Sequence, residues 1–266
     1  MRIGLTSWAF RWAVGTRDFA PPQPLTPGAL LARARALGAE VVQICDNMPL
    51  VALTAVDLRR LRDQAADLGL TLEVGAASAQ PACLAAYIEI ARALDARVLR
   101  VVEDRQLWQP TLDDLVAALR AVLPACRGQG VTIALENHTA LSPRELMQVV
   151  RTVDDPCVGI CLDTLNSVVR LEGWREVVDL LAPYAVSLHL KDAMVQRRGV
   201  GFYVGGAPLG RGIVDLREVV RRVQANGRGA NALIEFWMDF AGDAETTLRQ
   251  EEAWIADSLA YLRQII

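Results

Sequence analysis

The chain has 266 residues, 52% of them hydrophobic, enough for a large core and close to the length of one α/β barrel, about 250 residues. Its net charge of −3 offers no general field for nucleic acid or an anionic membrane, and no run of about 18 apolar residues is present to span a bilayer. The N-terminus passes straight into strand-like sequence with no secretory signal, and five scattered cysteines read as buried thiols in a reducing, cytoplasmic setting.

Two textures alternate along the chain. One is short and rich in Val, Ile and Leu, as in strands buried on both faces. The other is longer, Ala/Leu/Arg-rich and spaced like amphipathic helices. Strand one is Arg2–Trp8. A Pro-rich loop follows, in which Thr26 caps a helix that Pro27 begins and Gly38 ends. Strand two is Glu40–Cys45, and a helix over Val56–Leu68 is closed by Gly69. Strand three, Thr71–Gly75, a helix over Cys83–Leu94 and strand four, Arg97–Val102, complete the first half.

The second half repeats the order. A helix from the cap Thr111 to Arg127 leads into strand five, Val131–Asn137. Ser142-Pro143-Arg144-Glu145 has the form of a capping box and opens the next helix. Strand six is Val158–Asp163, then a helix over Trp174–Leu181, then strand seven, Ala185–Leu190. A Gly-dense irregular stretch, Ala193–Val214, precedes a helix over Leu216–Asn226, strand eight at Ala230–Trp237 and a last helix from Ala244. Eight such units with no composition break predict an α/β fold, a single closed (β/α)₈ barrel spanning 1–266.

Active sites of such barrels sit at the C-terminal ends of the strands. Four apolar runs there end in metal-binding types of side chain: TIAL before Glu136, GICL before Asp163, AVSL before His189 and NALI before Glu235. Period-two alternation puts Ser187, His189 and Lys191 on one face of strand seven and the leucines on the other. Three carboxylates about 4–5 Å apart would repel by roughly 4 kcal/mol per pair at an effective dielectric of 20. One divalent cation removes that cost, so Glu136, Asp163, His189 and Glu235 are read as its ligands. Oxygen-rich ligation with one imidazole suits Mn²⁺, Mg²⁺ or Co²⁺ in preference to Zn²⁺. Such an ion could hold two adjacent oxygens of a hydroxy-carbonyl sugar and stabilise an enediolate as a Lewis acid. Glu136 and Glu235 are the candidate catalytic pair, moving protons on opposite sides of the substrate.

The pieces ALENH, GICLDTLN, SLHLKD, PLGRGIVDL and LIEFW, in that order, resemble the sugar phosphate isomerase/epimerase family with the xylose isomerase-like TIM barrel. The resemblance covers essentially the whole chain and is specific in the second half. It implies one metal bound by Glu136, Asp163, His189 and Glu235, with Glu136 and Glu235 as acid and base. Two departures bear on the substrate: Gln43 on strand two, where many relatives place an acid, and Arg211 between Gly210 and Gly212.

Around this set, Trp8, His138, Asn166, Lys191, Arg197 and Trp237 are the candidate substrate contacts. Each also has a plain structural reading: core aromatic, packed histidine, helix cap or solvated charge. Arg197, Arg198 and Arg211 in the irregular stretch could recognise an anion and close as a lid. The leading expectation is a metal-dependent isomerase or epimerase of a small-molecule carbohydrate, a sugar, sugar phosphate or keto-sugar, in a chain that could assemble as a homo-oligomer. A dehydratase of an inosose- or dehydroshikimate-like acid, and a barrel that binds sugar or metal without turnover, are the rivals. A nuclease on the same barrel is disfavoured by the acidic net charge and only two histidines.

Overall fold

The computed structural model describes residues 1–103 and 108–266. Strands β1 (Ile3–Thr6), β2 (Val41–Ile44), β3 (Thr71–Ala76), β4 (Val98–Val101), β5 (Thr132–Glu136), β6 (Val158–Asp163) and β7 (Ala185–Leu190) pair in parallel, each with the next. β8 (Asp192–Arg198) and β9 (Gly201–Ala207) form a separate antiparallel hairpin. β10 (Ala232–Ile234) then pairs with both β7 and β1 and closes the barrel. The architecture is the expected (β/α)₈ barrel.

Between the strands lie α1 (Arg11–Val14), α2 (Pro27–Ala36), α3 (Ala55–Asp67), α4 (Pro81–Ala93), α5 (Leu112–Gln129), α6 (Pro143–Val153), α7 (Trp174–Leu181), α8 (Leu216–Gln224) and α9 (Ala244–Ile265). Their starts follow local chemistry. Thr26 accepts from the N–H of Ala29, and Pro27 needs no donor partner at that position. Full capping boxes open α3 (Thr54 with Asp57), α5 (Thr111 with Asp114) and α6 (Ser142 with Glu145). Among the described residues no helix is long and apolar enough to cross a membrane.

The eight barrel strands are buried on both faces, but the faces differ in kind. Val42, Ile44, Leu72, Val74, Leu99, Ile133, Ile160, Leu162 and Leu188 join the continuous apolar core. Alternating with them, Gln43, Glu73, Arg100, Glu136, Asp163, Ser187 and His189 are buried polar groups. Parallel pairing sets Asp163 beside His189 and Leu233 beside the same histidine, so Glu235 follows two residues further up.

Three expectations change. The stretch over Ala193–Val214 is mostly the β8–β9 hairpin, because Val195 pairs with Val204 and Gln196 with Tyr203 around a turn at Gly199. Strand one stops at Thr6, whose hydroxyl accepts from the N–H of Ala9 at 3.2 Å and turns Ser7–Phe10 into a 3₁₀ helix carrying Trp8. Strand eight is only Ala232–Ile234, so Glu235 and Trp237 stand on the rim just beyond it.

Candidate metal centre and substrate cleft

The second half of the barrel supplies a buried cluster. Glu136 and Asp163 are the last residues of β5 and β6, and His189 is the penultimate residue of β7. Asp163, His189 and Glu235 each place a ligand atom within 4.8 Å of the others, and Glu136, Cys161 and His189 do the same. His189 Nδ1 stands 3.1 Å from Glu235 Oε2 and 3.4 Å from Glu136 Oε2. The four predicted ligands are thus brought together.

Two cations enter the cluster, one just past the end of β7 and one from β4. Lys191 Nζ lies 2.9 Å from Asp163 Oδ2 and 2.6 Å from Glu235 Oε1. Arg100 on β4 pairs through Nε with Glu136 and through Nη1 with Asp46 at 2.6 Å. Asn166 ties the pieces together: its Nδ2 donates to Glu136 Oε1 at 2.7 Å, its Oδ1 accepts from Lys191 at 3.1 Å, and its backbone N–H donates to Asp163 Oδ1 at 2.8 Å. Asn137 holds the β6 rim, donating to the Asp163 carbonyl at 2.9 Å and accepting from the Asp163 N–H at 2.8 Å.

The imidazole is oriented from below. Glu73 accepts from Gln43 Nε2 at 2.9 Å, from Asn231 Nδ2 at 2.7 Å and from the Ser187 hydroxyl at 3.4 Å. A carboxylate can only accept, so Gln43 must turn its Oε1 the other way, toward His189 Nε2 at 2.7 Å. Nε2 therefore carries the proton that donates, which in the neutral ring leaves the Nδ1 lone pair facing Glu136 and Glu235.

Charge and burial pull against each other here. Burial pushes the Glu136 carboxyl up, but Arg100 and His189 outweigh it and hold it below the ordinary range. Burial likewise pushes Glu235 up, and Lys191 and His189 bring it well down. Asp163 goes the other way: burial raises it, Lys191 opposes, and the charges of Glu136 and Glu235 add to the rise. Burial lowers His189, yet the Cys161 sulfur and the two glutamates hold it well above its usual value. Burial also works against the Lys191 ammonium, which Asp163, Glu235 and Glu136 keep charged.

These residues fit a divalent cation. His189 Nδ1 and Glu235 Oε2 are buried atoms that make no hydrogen bond, a costly state unless something else satisfies them, and Asp163 Oδ2 beside them faces the Lys191 ammonium. The carboxylates of Asp46, Glu136, Asp163 and Glu235 face the two cations Arg100 and Lys191. A carboxylate-rich set with one imidazole is the donor chemistry that a hard divalent ion takes.

A cleft of about 690 Å³ opens above the cluster, lined by Trp8, Arg11, Asp46, Arg100, His138, Lys191, Glu235 and Trp237 among others. Its size suits a small molecule. Gly206 of β9 has its N–H 3.1 Å from the Trp237 carbonyl, and a Cβ there would sit 2.0 Å from that oxygen, so the hairpin seats against the wall only through glycine.

A protein-family model described as xylose isomerase-like TIM barrel matches residues 31–265. The chain belongs to this family. It is 38% identical over 264 residues to the 3-oxo-isoapionate decarboxylase of Pectobacterium atrosepticum, covering 98% of this chain and 95% of that protein. In fold it is similar to a D-psicose 3-epimerase crystallised in the presence of D-fructose, with TM-score 0.74, 14% identity, and coverage of 100% and 99% of the two chains. It is also similar to a xylose isomerase-like TIM barrel protein from Mycobacterium smegmatis in complex with magnesium, with TM-score 0.71, 18% identity and 97% of each chain covered.

Of the candidate substrate contacts in this family member, Trp8, His138, Lys191 and Trp237 line the cleft, and Lys191 Nζ lies 5.7 Å from the Trp237 ring centroid. Asn166 is buried beneath it among the acids. Arg197 is not brought to the cleft: it is exposed on the hairpin, where its Nε donates to the Gly199 carbonyl at 3.1 Å. Arg198 stacks over Tyr203, and Arg211 pairs with Asp257 at 2.8 Å. Pairing within the hairpin carries Arg197 and Arg198, and Arg211 lies beyond it. Asp192 is a turn anchor, accepting from the N–H groups of Gly210, Gly212 and Val214.

Sequence reasoning missed Arg100, Glu73, Asp46, Asn137 and Arg11, and it used Gln43 only as a departure from the family pattern. A signal was present. Arg100 in RVLRVV and Glu73 in TLEVG are charges inside strands otherwise buried on both faces, so each had to be paired within the barrel.

Proposed function

We propose that this chain is a divalent-cation-dependent enzyme that decarboxylates a small polyhydroxylated 3-oxo acid. The observation that carries the reading is the convergence of Asp163, His189 and Glu235, buried and with ligand atoms within 4.8 Å of one another, beside a cleft that Glu235 lines. The relative's name supplies the reaction: a 3-oxo acid has its carbonyl one carbon removed from the carbon that bears the carboxylate.

In such an acid the bond between the carboxylate carbon and C2 breaks, CO₂ leaves, and its electron pair passes toward the carbonyl oxygen at C3. A cation bound by Glu136, Asp163, His189 and Glu235 supplies Lewis-acid stabilisation of that oxygen's developing charge. Trp8 and Trp237 wall the cleft, where flat rings suit the apolar faces of a sugar chain. Lys191 lines the cleft as an ammonium and is the candidate source, once a bound cation has displaced it from Asp163 and Glu235, of the proton that C2 takes up after CO₂ has gone. Asn166 and Arg100 fix Glu136 by both its oxygens, so the cluster is organised before substrate arrives.

A second reading is favoured by one specific feature. Glu136 and Glu235 approach His189 Nδ1 together, and two carboxylates about one centre could remove and return a proton, as isomerisation or epimerisation requires. Incubation of the Mn²⁺- or Mg²⁺-loaded protein with 3-oxo-isoapionate separates the two. The proposal expects stoichiometric CO₂, suppressed by EDTA and restored by the metal. No CO₂, with deuterium from solvent entering a ketose panel instead, would reject decarboxylation in favour of proton transfer.

A further inference from the structure

The cleft holds a cation that the chemistry above does not use. Of the Arg and Lys residues lining it, Arg100 is engaged by Glu136 and Asp46, and Lys191 by Asp163 and Glu235. Arg11 differs from both. Among the described residues it has no carboxylate partner, and its Nε is buried with no hydrogen bond. A guanidinium presents several donors in a fixed fork, and although Arg11 as a whole is only half-buried, leaving its buried Nε unpaired is costly unless a ligand completes it.

Arg11 is also held in place. Its Cζ lies 5.2 Å from the Trp12 ring centroid and 6.0 Å from that of Trp8. Trp12 is itself fixed, its indole N–H donating to the Met238 carbonyl at 3.1 Å and its backbone N–H to the buried Glu251 at 2.6 Å. The rings hold the guanidinium's flat body without occupying its N–H groups. Such an arrangement loses little side-chain freedom when an anion arrives.

We propose that Arg11 is the specificity-determining anion site of the cleft, pairing with the carboxylate of a sugar acid, so that the enzyme takes acids in preference to neutral sugars of the same size. This rests on the 3-oxo acid reading and names which residue recognises the acid. The pairing has a kinetic signature. The carboxylate's charge leaves it as CO₂ forms, so Arg11 holds the bound substrate more firmly than the transition state. Losing Arg11 therefore raises KM and leaves kcat unchanged or higher.

The test compares wild type, Arg11→Met, which keeps an apolar stem between the tryptophans, and Arg11→Lys, which keeps the charge. With 3-oxo-isoapionate and Mn²⁺, Arg11→Met should raise KM about 10- to 100-fold, with kcat unchanged or higher, and Arg11→Lys should recover part of the loss. In calorimetry, L-threonate should bind Mn²⁺-loaded wild type more tightly than the neutral L-threitol, and Arg11→Met should erase that difference while leaving Mn²⁺ affinity unchanged. An Arg11→Met variant with normal KM and undiminished preference for threonate would overturn the proposal. If wild type releases no CO₂, the decarboxylase reading fails by itself, and the threonate–threitol comparison still decides the role of Arg11. Equal binding of the two by wild type would also overturn it.

Discussion

The two halves of the barrel face the same interior and do different work in it. The second half, β5 to β10, carries Glu136, Asp163, His189 and Glu235 at or just beyond its strand ends, with Asp163 and Glu235 grouped about His189 and Glu136 Oε2 3.4 Å from the same imidazole. The first half, β2 to β4, contributes no member of that set. It contributes Gln43, Glu73 and Arg100, which hold the histidine and one glutamate from the opposite side. The contrast teaches that a ligand cluster of this kind needs two sets of side chains. One set offers lone pairs, and the other fixes where those lone pairs face.

That division can be broken from either side. The largest effect should come from the second half. Asp163→Asn or Glu235→Gln should lower turnover by about 10²–10⁴ and weaken Mn²⁺ binding in parallel. Steady-state assays together with metal titration check this, and full activity in either variant would separate the cluster from the chemistry.

Next comes Arg100. Its side chain is 4% exposed and Glu136's is 0%, so removing the cation leaves a buried carboxylate uncompensated. Arg100→Met should cost about 3–5 kcal/mol in urea unfolding of the metal-free protein. Saturating Mn²⁺ should recover part of that loss, since a second cation then faces Glu136.

A pH experiment probes the seam where the first and last elements meet. Glu251 of α9 is buried and accepts from the N–H groups of Trp12 and Ala13 at 2.6 and 3.1 Å. Burial raises its carboxyl from 4.5 to about 7, against those hydrogen bonds. Between these values the folded chain binds a proton that the unfolded chain has lost, so this group's contribution to stability declines as pH rises from 4.5 to about 7. The total is about 3 kcal/mol at most. Glu251→Gln should flatten that part of the profile relative to wild type. Parallel curves for the two proteins across this range would remove Glu251 as the cause.

The smallest effect sharpens the comparison most. Gln43→Leu should weaken Mn²⁺ binding about 10- to 100-fold, because the imidazole loses the acceptor that sets its tautomer. The His189 ring ¹⁵N shifts of the protein loaded with the diamagnetic Mg²⁺, read by NMR, should move away from the Nε2–H form. An unaltered tautomer would assign Gln43 to packing alone.

Legibility in the sequence divides along the same line. Strand ends in the second half are announced by apolar runs that stop at Glu136 and Asp163, and alternation correctly placed Ser187, His189 and Lys191 on one face. Capping boxes such as Ser142 with Glu145 were legible because their chemistry is local. Contacts across the barrel were not. Arg100 meets Asp46 and Glu136, which are 54 and 36 residues away in opposite directions, and no local pattern encodes that meeting. The hairpin was hidden by its glycines, which suggest irregular chain until Val195 is seen beside Val204. Arg197 was misplaced for that reason, and Arg11 was passed over because it falls outside any strand.

The most direct measurement is a Mn²⁺ titration of the metal-stripped protein, followed by anomalous diffraction from the loaded crystal. The account predicts one ion per chain, ligated by Glu136, Asp163, His189 and Glu235, with Lys191 shifted from between Asp163 and Glu235. No saturable binding, or an ion seated elsewhere while those four side chains stay as they are, would contradict it.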